Sequence, residues 1–394
     1  MRMSFLCVLT FSAAAGLAGC GAERTLPSER VLKVDLPADS GTPFEVRNLA
    51  GTIRVTRGEA DHVEIEATVH AGSAELAAGV SLERSEGEGG AAVITVKYPL
   101  DSNRTYLYPD RERHESAWLK LLGAGSNTGL TYDGERVKVS SGSGVLLYAD
   151  VEVRLPAHEV KGSVINAVGN VSGRDLTGDL RFETSSGDVT VEDLRGRITA
   201  ETSSGEISAS RVEGSFTASV VSGEIGLSGM TGTLVECTTV QGDIDATDLD
   251  VETVKVSTRS GSIQLLGKAA RLVKAETVSG DITARADLVE EFDAGTTSGR
   301  VQLFTPGRHL RIVDVGTIHG DVELGMAAES GFDLKLEGSD PRVDMRYDDV
   351  EEIVEGGQTV GYRRGDALTK IKIDMQHGRL VVRPDEGTAQ AEGG

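Results

Sequence analysis

Two lysines and two histidines occupy repeated places in the sequence and are the first candidates for chemistry. Lys255 and Lys274 hold equivalent positions in successive repeats, and His319 and His377 each precede the glycine of a similar turn. A lysine could take a proton from a sugar in a β-helix polysaccharide lyase if arginines or Ca²⁺ neutralised the uronate. An acidic residue near each lysine favours ordinary ion pairs, and neither histidine belongs to a metal-ligand motif. We therefore predict no catalytic residue and no enzymatic activity.

Carboxylates form a second candidate, because most repeats place Asp or Glu directly after the turn glycine. These residues are Asp188, Glu206, Glu224, Asp243, Asp281 and Asp321. Stacked carboxylates could hold Ca²⁺, which takes several oxygen ligands. However, Ser262 and Arg300 interrupt the series, and the sequence lacks a phosphate-binding glycine loop, a serine elbow and a Cys/His cluster. We interpret the carboxylates as solvated turns and predict neither a metal nor a cofactor.

A threonine precedes most turn glycines by three residues, as Thr202, Thr258 and Thr277 do. Stacked threonines can form a binding face, as in ice-binding solenoids. The more ordinary interpretation is that their hydroxyls satisfy backbone groups where a strand enters the turn. Since no second threonine column runs beside the first, we favour the ordinary interpretation.

Residues 99–142 interrupt the repeats and hold the best local candidates for ligand binding. The segment and its edge contain the single tryptophan and most of the tyrosines. Long excursions from a regular scaffold often carry function, and Tyr, Trp and Arg are favoured in binding hot spots. The candidate binding residues are Tyr106, Tyr108, Arg111 and Trp118. The alternative is an insertion that packs against the side of the repeats or covers their end.

The scaffold that must position these residues is a repeat of 18 to 21 residues centred on a glycine. The repeating glycines are Gly187, Gly205, Gly223, Gly242, Gly261, Gly280, Gly299 and Gly320. Apolar residues stand two and four positions after each glycine and five and seven before it, which is the period of strands with one buried face. Cys237 occupies one of these apolar positions, so we expect it to be a packing residue. The pattern predicts an all-β fold, a single-stranded parallel β-solenoid whose coils bury a shared core.

The N-terminus carries a targeting signal. Arg2 is followed by an apolar run, and Leu17-Ala18-Gly19-Cys20 closes the segment. This resembles the lipobox of bacterial lipoproteins, which implies cleavage before Cys20 and lipid attachment to its thiol. The apolar run is too short to span a membrane. Gly21 after the cysteine favours export to the outer membrane where one exists.

These features predict the following organisation. Residues 1–20 form the signal peptide, 21–30 a tether, and 384–394 a disordered tail. The β-solenoid domain covers residues 31–383, with an irregular insertion at 99–142, regular repeats at 165–324, and C-terminal coils with a cap at 325–383. The opening β-region from Val31 to about Tyr98 is expected to form an atypical first coil that caps one end of the stack, and the closing phrase 369–382 is expected to close the far end.

The chain resembles the putative-adhesin β-strand repeat family of bacterial envelope proteins over roughly residues 31–383. The matching phrases are Asn48–Val55, the strand ending at Pro156, repeats such as Thr202–Ile207, and His377–Leu380. The resemblance implies a parallel β-solenoid with an adhesive or envelope role. It supplies no catalytic residues.

The net charge restricts the possible binding partners. The net charge of −22 argues against nucleic acid and against basic patches that dock on anionic lipid. We expect a lipid-anchored cell-envelope module on the cell surface or the periplasmic face of the outer membrane, binding a glycan, a matrix component or an envelope protein without catalysis. The alternatives are a periplasmic structural or stress-related protein and a β-helix polysaccharide lyase or hydrolase.

Overall fold

The computed structural model describes residues 28–37, 42–109, 129–338 and 340–385. The fold is all-β, as the sequence predicts, with one short helix, α1 (Ala74–Ala78), and a 3₁₀ turn at Glu88–Gly90. The chain divides into two compact units between Gly205 and Glu206.

The first unit contains thirteen described strands that pair mainly in parallel. They are β1 (Ser28–Pro37), β2 (Phe44–Ala50), β3 (Ile53–Arg57), β4 (His62–Ala71), β5 (Ser81–Glu86), β6 (Ala92–Lys97), β7 (Thr105–Leu107), β8 (Gly129–Tyr132), β9 (Glu135–Ser140), β10 (Val145–Leu155), β11 (Val160–Val168), β12 (Val171–Ser186) and β13 (Val189–Ser204). Strands β12 and β13 pair in parallel with Val171 opposite Val189, an offset of one repeat. This in-register pairing is consistent with a parallel β-solenoid.

The first coil in the sequence is not the first coil in space. Strands β2 and β3 form it, and they pair in parallel with β11 and β12 on one side. On the other side they pair in parallel with β6 and β10. The coil of β2 and β3 is therefore internal, because β6 and β10 lie beyond it. The strands β4, β5 and β6 that lie at this end still come from the predicted opening region 31–98. Antiparallel strands β5 and β4 cover β6 and β10 in turn, which protects an edge that could otherwise recruit another strand.

The second unit continues the same type of pairing. Its strands are β14 (Ile207–Ser222), β15 (Ile225–Ser228), β16 (Thr231–Gln241), β17 (Ile244–Ser260), β18 (Ile263–Ser279), β19 (Ile282–Leu288), β20 (Glu291–Ser298), β21 (Val301–Thr305), β22 (Ile312–His319), β23 (Val322–Met326), β24 (Phe332–Glu337), β25 (Asp340–Met345), β26 (Glu351–Glu355), β27 (Gln358–Arg364) and β28 (Thr369–Pro384). Val235 pairs with Val254 and Phe292 with Val313, again one repeat apart.

The last strand in the sequence also lies inside its stack. Strand β28 pairs in parallel with β22 and β23 on one side and with β24 and β25 on the other. The expectation that residues 369–382 close the far end is wrong for this reason. The coil around Gly338, doubtful from the sequence, is formed by β24 and β25. The antiparallel hairpin β26–β27 then covers β24.

Two predicted boundaries shift slightly. Strand β1 begins at Ser28, inside the predicted tether, and β28 ends at Pro384. Asp385 is also packed: it is 9% exposed and its backbone N–H donates to Met326 O at 2.7 Å. Residues 1–27 and 386–394, with the predicted signal peptide and most of the predicted tail, lie outside the described residues.

The apolar columns form the core as predicted. The residues two positions after the turn glycines are at most 1% exposed in every regular coil: Val189, Ile207, Ile225, Ile244, Ile263, Ile282, Val301 and Val322. Cys237 is fully buried between Ala218 and Val256 of the neighbouring coils. Burial raises the pKa of its thiol, so the packing interpretation of this cysteine is confirmed.

The threonine column has the ordinary role predicted for it. Thr202 Oγ1 donates to Gly187 O at 2.9 Å, and Thr277 Oγ1 donates to Gly261 O at 3.1 Å. Each hydroxyl therefore satisfies the turn carbonyl of the preceding coil. Asn48 and Asn166 hold the same position in the first two coils of this column, and Asn166 Nδ2 likewise donates to Gly51 O at 2.7 Å. The threonines are buried, so the column is not an exposed face like that of ice-binding solenoids.

Turn glycines are required because successive coils nearly touch there. Gly261 has φ of +153°, and a Cβ on it would lie 2.0 Å from Gly242 O. A second series of positive-φ glycines recurs at an 18-residue interval: Gly178, Gly196, Gly214 and Gly232. Three residues before these glycines, Asp175, Asp193, Arg211 and Gly229 adopt left-handed backbone with φ between 53° and 64°. Asp248, with φ of 53°, holds the same place before Val251, the register partner of Gly232.

A polar cluster fastens β1 and β10 to β4. His70 Nε2 lies 3.1 Å from Asp150 Oδ2, and His70 Nδ1 lies 3.7 Å from Glu29 Oε1. Asp150 Oδ1 also accepts hydrogen bonds from the backbone N–H and hydroxyl of Thr52, both at 2.8 Å. The ring of Tyr148 stacks on His70 at 4.7 Å. The hydrogen bond to Asp150 raises the pKa of His70 despite partial burial. Burial works to raise the pKa of Asp150, but the bonds from His70 and Thr52 lower it overall.

The close approach of Gly261 to Gly242 O predicts that Gly261→Ala strongly destabilises the protein. The new methyl group would force apart two backbones while occupying a φ that L-residues avoid, so we expect a loss of about 2–5 kcal/mol in unfolding free energy. Chemical denaturation monitored by circular dichroism measures it. Gly316→Ala is the control, since a Cβ there meets nothing within 4 Å. Equal losses in the two variants would contradict the explanation.

The His70 cluster predicts a pH-dependent contribution to stability. Because the folded state raises the pKa of His70, this group adds its full contribution to the unfolding free energy below the unfolded-state pKa of 6.5. The contribution is lost as pH rises through the folded-state pKa. Because the folded state lowers the pKa of Asp150, this group contributes to the unfolding free energy above pH 3.8, and the contribution is lost as pH falls through the folded-state pKa. His70→Ala should therefore destabilise the protein more at pH 5.5 than at pH 8.5, measured by denaturation at both values. A pH-independent loss would mean that His70 contributes by packing alone.

Candidate ligand-binding groove

The predicted binding residues do not come together at a described surface. Tyr106 and Tyr108 are 0% and 3% exposed, so their rings serve packing. Arg111 and Trp118 lie outside the described residues, as does the predicted lipidation site Cys20. For these three the assignments stay predictions.

The tyrosines at the edge of the insertion stabilise the first unit. Tyr98 OH donates to Asn48 Oδ1 at 2.9 Å, and Tyr132 OH donates to Val96 O at 2.8 Å. Tyr98 contacts both Tyr106 and Tyr132 through edge-to-face rings. Burial raises the pKa of Tyr106 to about 12. Strands β7, β8 and β9 form a small sheet that joins β10 through β7. The described part of the insertion thus packs against the repeats.

The lysine pair has the surroundings of a structural ion pair. Lys255 and Lys274 are register partners, as expected. Lys274 Nζ lies 3.0 Å from Glu276 Oε1 and 3.5 Å from Asp293 Oδ2. The hydrogen bond to Glu276 raises the pKa of Lys274, whereas a general base acting on a sugar needs a lowered one.

The carboxylates after the turn glycines bind backbone of the next coil. Asp243 Oδ1 accepts from Ser262 N–H at 2.7 Å and Asp281 Oδ1 from Arg300 N–H at 2.8 Å. Asp321 Oδ1 accepts from Arg379 N–H at 3.0 Å. These side chains do more than face solvent, because they satisfy a turn amide in the following coil. Among the residues that the structure describes, no group of three or more His, Cys, Asp and Glu side chains is placed to hold a metal ion.

The His70 cluster does not have the geometry of a nucleophilic triad. In a triad, one ring nitrogen faces a carboxylate and the other faces the nucleophile. Both nitrogens of His70 face carboxylates, and the nearby Thr52 hydroxyl donates to Asp150 instead. The cluster therefore holds strands together.

An open groove crosses the outward face of β18, β20, β22 and β28. Its volume is about 460 Å³. Two glycines on neighbouring strands, Gly295 and Gly316, are register partners and form its floor. Glu276 pairs with Gly295 on one side and Asp374 with Gly316 on the other, so two carboxylates border the floor. Beneath it, the hydroxyl of Thr317 is buried and has no hydrogen-bond partner.

The structure gives no internal reason for these two glycines. Neither has a positive φ, and a Cβ on either would meet nothing within 4 Å. Glycine inside a strand costs stability, and it often marks a place where a ligand approaches the backbone closely. Other coils carry Ser219, Thr238 or Ser257 at this position. The missing side chains thus create space for something outside the protein.

The walls combine hydrogen-bond acceptors with apolar groups. The carboxylates of Glu276, Asp293 and Asp374 line the groove, and no Lys or Arg is among its lining residues in the described chain. Val278 and Ile318 are 50% and 44% exposed and lie along one side. Val221 and Val240 hold the same position in earlier coils and are 54% and 40% exposed, but Arg259 stands between Val240 and Val278. Such a groove suits a ligand with hydroxyl or other donor groups and an apolar face.

Sequence reasoning missed the groove, although one signal was present. Gly295 and Gly316 both stand four residues before a turn glycine. Glycine at an outward strand position in two successive repeats departs from the Ser, Thr and acidic residues found elsewhere in that column. Glycine is frequent throughout the repeats, so these two do not stand out in the sequence.

No helix in the described ranges is long and apolar enough to cross a membrane. Comparison with curated proteins gives no match.

Several solved structures resemble the chain weakly. A "putative lipid binding protein" from Parabacteroides distasonis ATCC 8503 is 14% identical, with a TM-score of 0.30, covering 77% of this chain and 94% of its own. A "putative adhesin" from Bacteroides fragilis NCTC 9343 is 11% identical, with a TM-score of 0.28, covering 90% and 98%. A "putative cell adhesion protein" from Clostridium sporogenes ATCC 15579 is 8% identical, with a TM-score of 0.18, covering 91% and 99%. At these scores the likenesses carry no functional argument.

A family model gives the stronger result. The model described as Toastrack DUF4097 matches residues 32–341. This range includes the first coil, the insertion and all the regular repeats. The chain therefore belongs to the Toastrack DUF4097 family, a family of unknown function.

Proposed function

We propose that the protein is a non-catalytic binding module of the cell envelope that holds a neutral glycan chain in the groove over Gly295 and Gly316. The observation that carries this proposal is the pair of outward glycines for which neither backbone conformation nor packing gives a reason. The repeats would form one β-solenoid that presents this face, in keeping with the parallel in-register pairing within each unit.

The chemistry of the groove favours a neutral, hydroxyl-rich ligand. Sugar hydroxyls can donate hydrogen bonds to Asp374 and to the remaining acceptor positions of Glu276 and Asp293, which are paired with Lys274. The exposed methyl groups of Val278 and Ile318 can contact the C–H face of a sugar ring. An anionic polysaccharide would meet the carboxylates of Glu276, Asp293 and Asp374, and Lys274 pairs with the first two. The surroundings of the groove floor therefore stay net negative, which disfavours uronates.

The groove hypothesis predicts that added side chains block binding without harming the fold. We expect the Gly295→Thr/Gly316→Thr variant to lose retention on a glycan array by at least about tenfold, since threonine would fill the floor. Its unfolding free energy should stay equal or rise by up to about 1 kcal/mol per site, because threonine suits a strand better than glycine. Gly226→Thr is the matched control, as it also adds a side chain into open space on a strand.

The other outcomes of this experiment are informative. Retention that survives in the groove variant but disappears in Trp118→Ala would place binding in the 99–142 insertion and refute the groove. Glycans shortened by the protein, with turnover lost in Lys274→Ala, would favour the lyase alternative. Absence of any retention would favour a structural or stress-related role in the periplasm.

Lipid anchoring is the second part of the proposal and rests on the Leu17–Cys20 lipobox. Two or more acyl chains on the N-terminal cysteine would anchor the protein stably in the membrane. We expect wild-type protein to incorporate labelled palmitate and to sediment with the outer-membrane fraction. Cys20→Ser should abolish the label and release the protein, whereas Cys237→Ser should keep both label and location. Labelling of the Cys20→Ser variant would contradict the assignment.

A further inference from the structure

Two histidines from distant parts of the sequence meet on the surface of the second unit. His319 ends β22, and His377 lies within β28 directly beside it as its register partner. The ring centroids are 5.4 Å apart and the ring planes are tilted by 34°. Both side chains are exposed. The pair therefore presents two imidazoles to solvent from neighbouring parallel strands.

The fold itself does not require histidine at this place. The same position, directly before the turn glycine, is serine in most other coils: Ser186, Ser204, Ser222, Ser260, Ser279 and Ser298. Backbone hydrogen bonds hold the turn whatever the side chain, since Gly299 N–H donates to His319 O and Gly320 N–H donates to His377 O, both at 3.2 Å. Two adjacent histidines are thus an addition to a position that serine fills elsewhere.

We propose that His319 and His377 form a surface site for a divalent first-row transition metal, with Cu²⁺ the tightest ligand. Imidazole nitrogen suits Cu, Zn and Ni, and affinity in this series peaks at Cu²⁺. Metal–nitrogen bonds of about 2.0–2.1 Å place two adjacent imidazoles on one ion with centroids roughly 5 Å apart. The observed 5.4 Å is close to that separation.

The surrounding charges permit a cation at this point. The nearest basic side chain in sequence, Arg379, donates to the carboxylate of Asp344 on β25, which holds its guanidinium. Asp321, between the two strands' turns, accepts from the Arg379 backbone N–H at 3.0 Å. Two protein nitrogens leave the other coordination positions of the ion to water. The site is therefore open.

The test is Cu²⁺ titration of the purified full-length protein at pH 7.5, followed by calorimetry and electron paramagnetic resonance. We expect one site per chain with the spectral signature of two imidazole nitrogens. His319→Ser and His377→Ser should each lower the affinity by at least about tenfold and leave one nitrogen in the signature.

Serine is the replacement of choice because the same turn accepts it in other coils, and circular dichroism checks that each variant is folded. His309→Ser, an exposed histidine elsewhere in the unit, is the control and should bind Cu²⁺ like the wild type. Unchanged binding in the His319→Ser/His377→Ser double variant would overturn the proposal, as would an equal loss in the control. The titration contains no glycan, so its result is independent of the groove.

Discussion

The close approach of one turn glycine to the next is the contact on which the structure depends. At Gly261 a single methyl group would lie 2.0 Å from the carbonyl oxygen of Gly242. The carbonyl oxygens in this column also accept the threonine hydroxyls, and the carboxylates beside them accept amides of the next turn. Strand spacing, turn shape and side-chain hydrogen bonding are thus set at one place in each coil. The apolar columns supply the driving force, but the glycines determine the distance at which those columns can pack.

Much of the fold could be predicted because it is periodic. The columns around Val189 and Ile263, the place of Cys237 and the role of Thr277 all follow from a pattern that repeats along the chain. The ends could not be predicted in the same way. Pairing of β2 with β6, and of β28 with β24, joins segments that no shared period relates. The glycines of the series containing Gly196 are also periodic, but polar neighbours give them no apolar pattern that would mark a turn in the sequence.

The candidate site followed a different logic. The aromatic and arginine residues of the insertion predicted a binding role for Tyr106 and Tyr108. Both tyrosines are buried, because aromatic side chains in an insertion can serve packing as readily as recognition. Gly295 and Gly316 contribute no functional group, and only the register of β20 and β22 reveals that their vacant positions adjoin. The histidine pair shows the same limit, since 58 positions separate its members in the sequence. Stacking of coils brings together residues that are far apart in the sequence, so a search for local motifs does not find such sites.

The internal position of β28 has a consequence for how the second unit forms. The coils on either side of it, β22–β23 and β24–β25, are both made earlier along the chain, but neither has its final neighbour until residues 369–384 arrive. During synthesis from the N-terminus, the place of β28 between these two coils stays empty until nearly the whole chain has been made. Insertion of β28 completes two strand interfaces at once. Because these contacts join segments far apart in the sequence, this region closes late in folding. Loss of residues 369–384 would therefore open the interior of the stack.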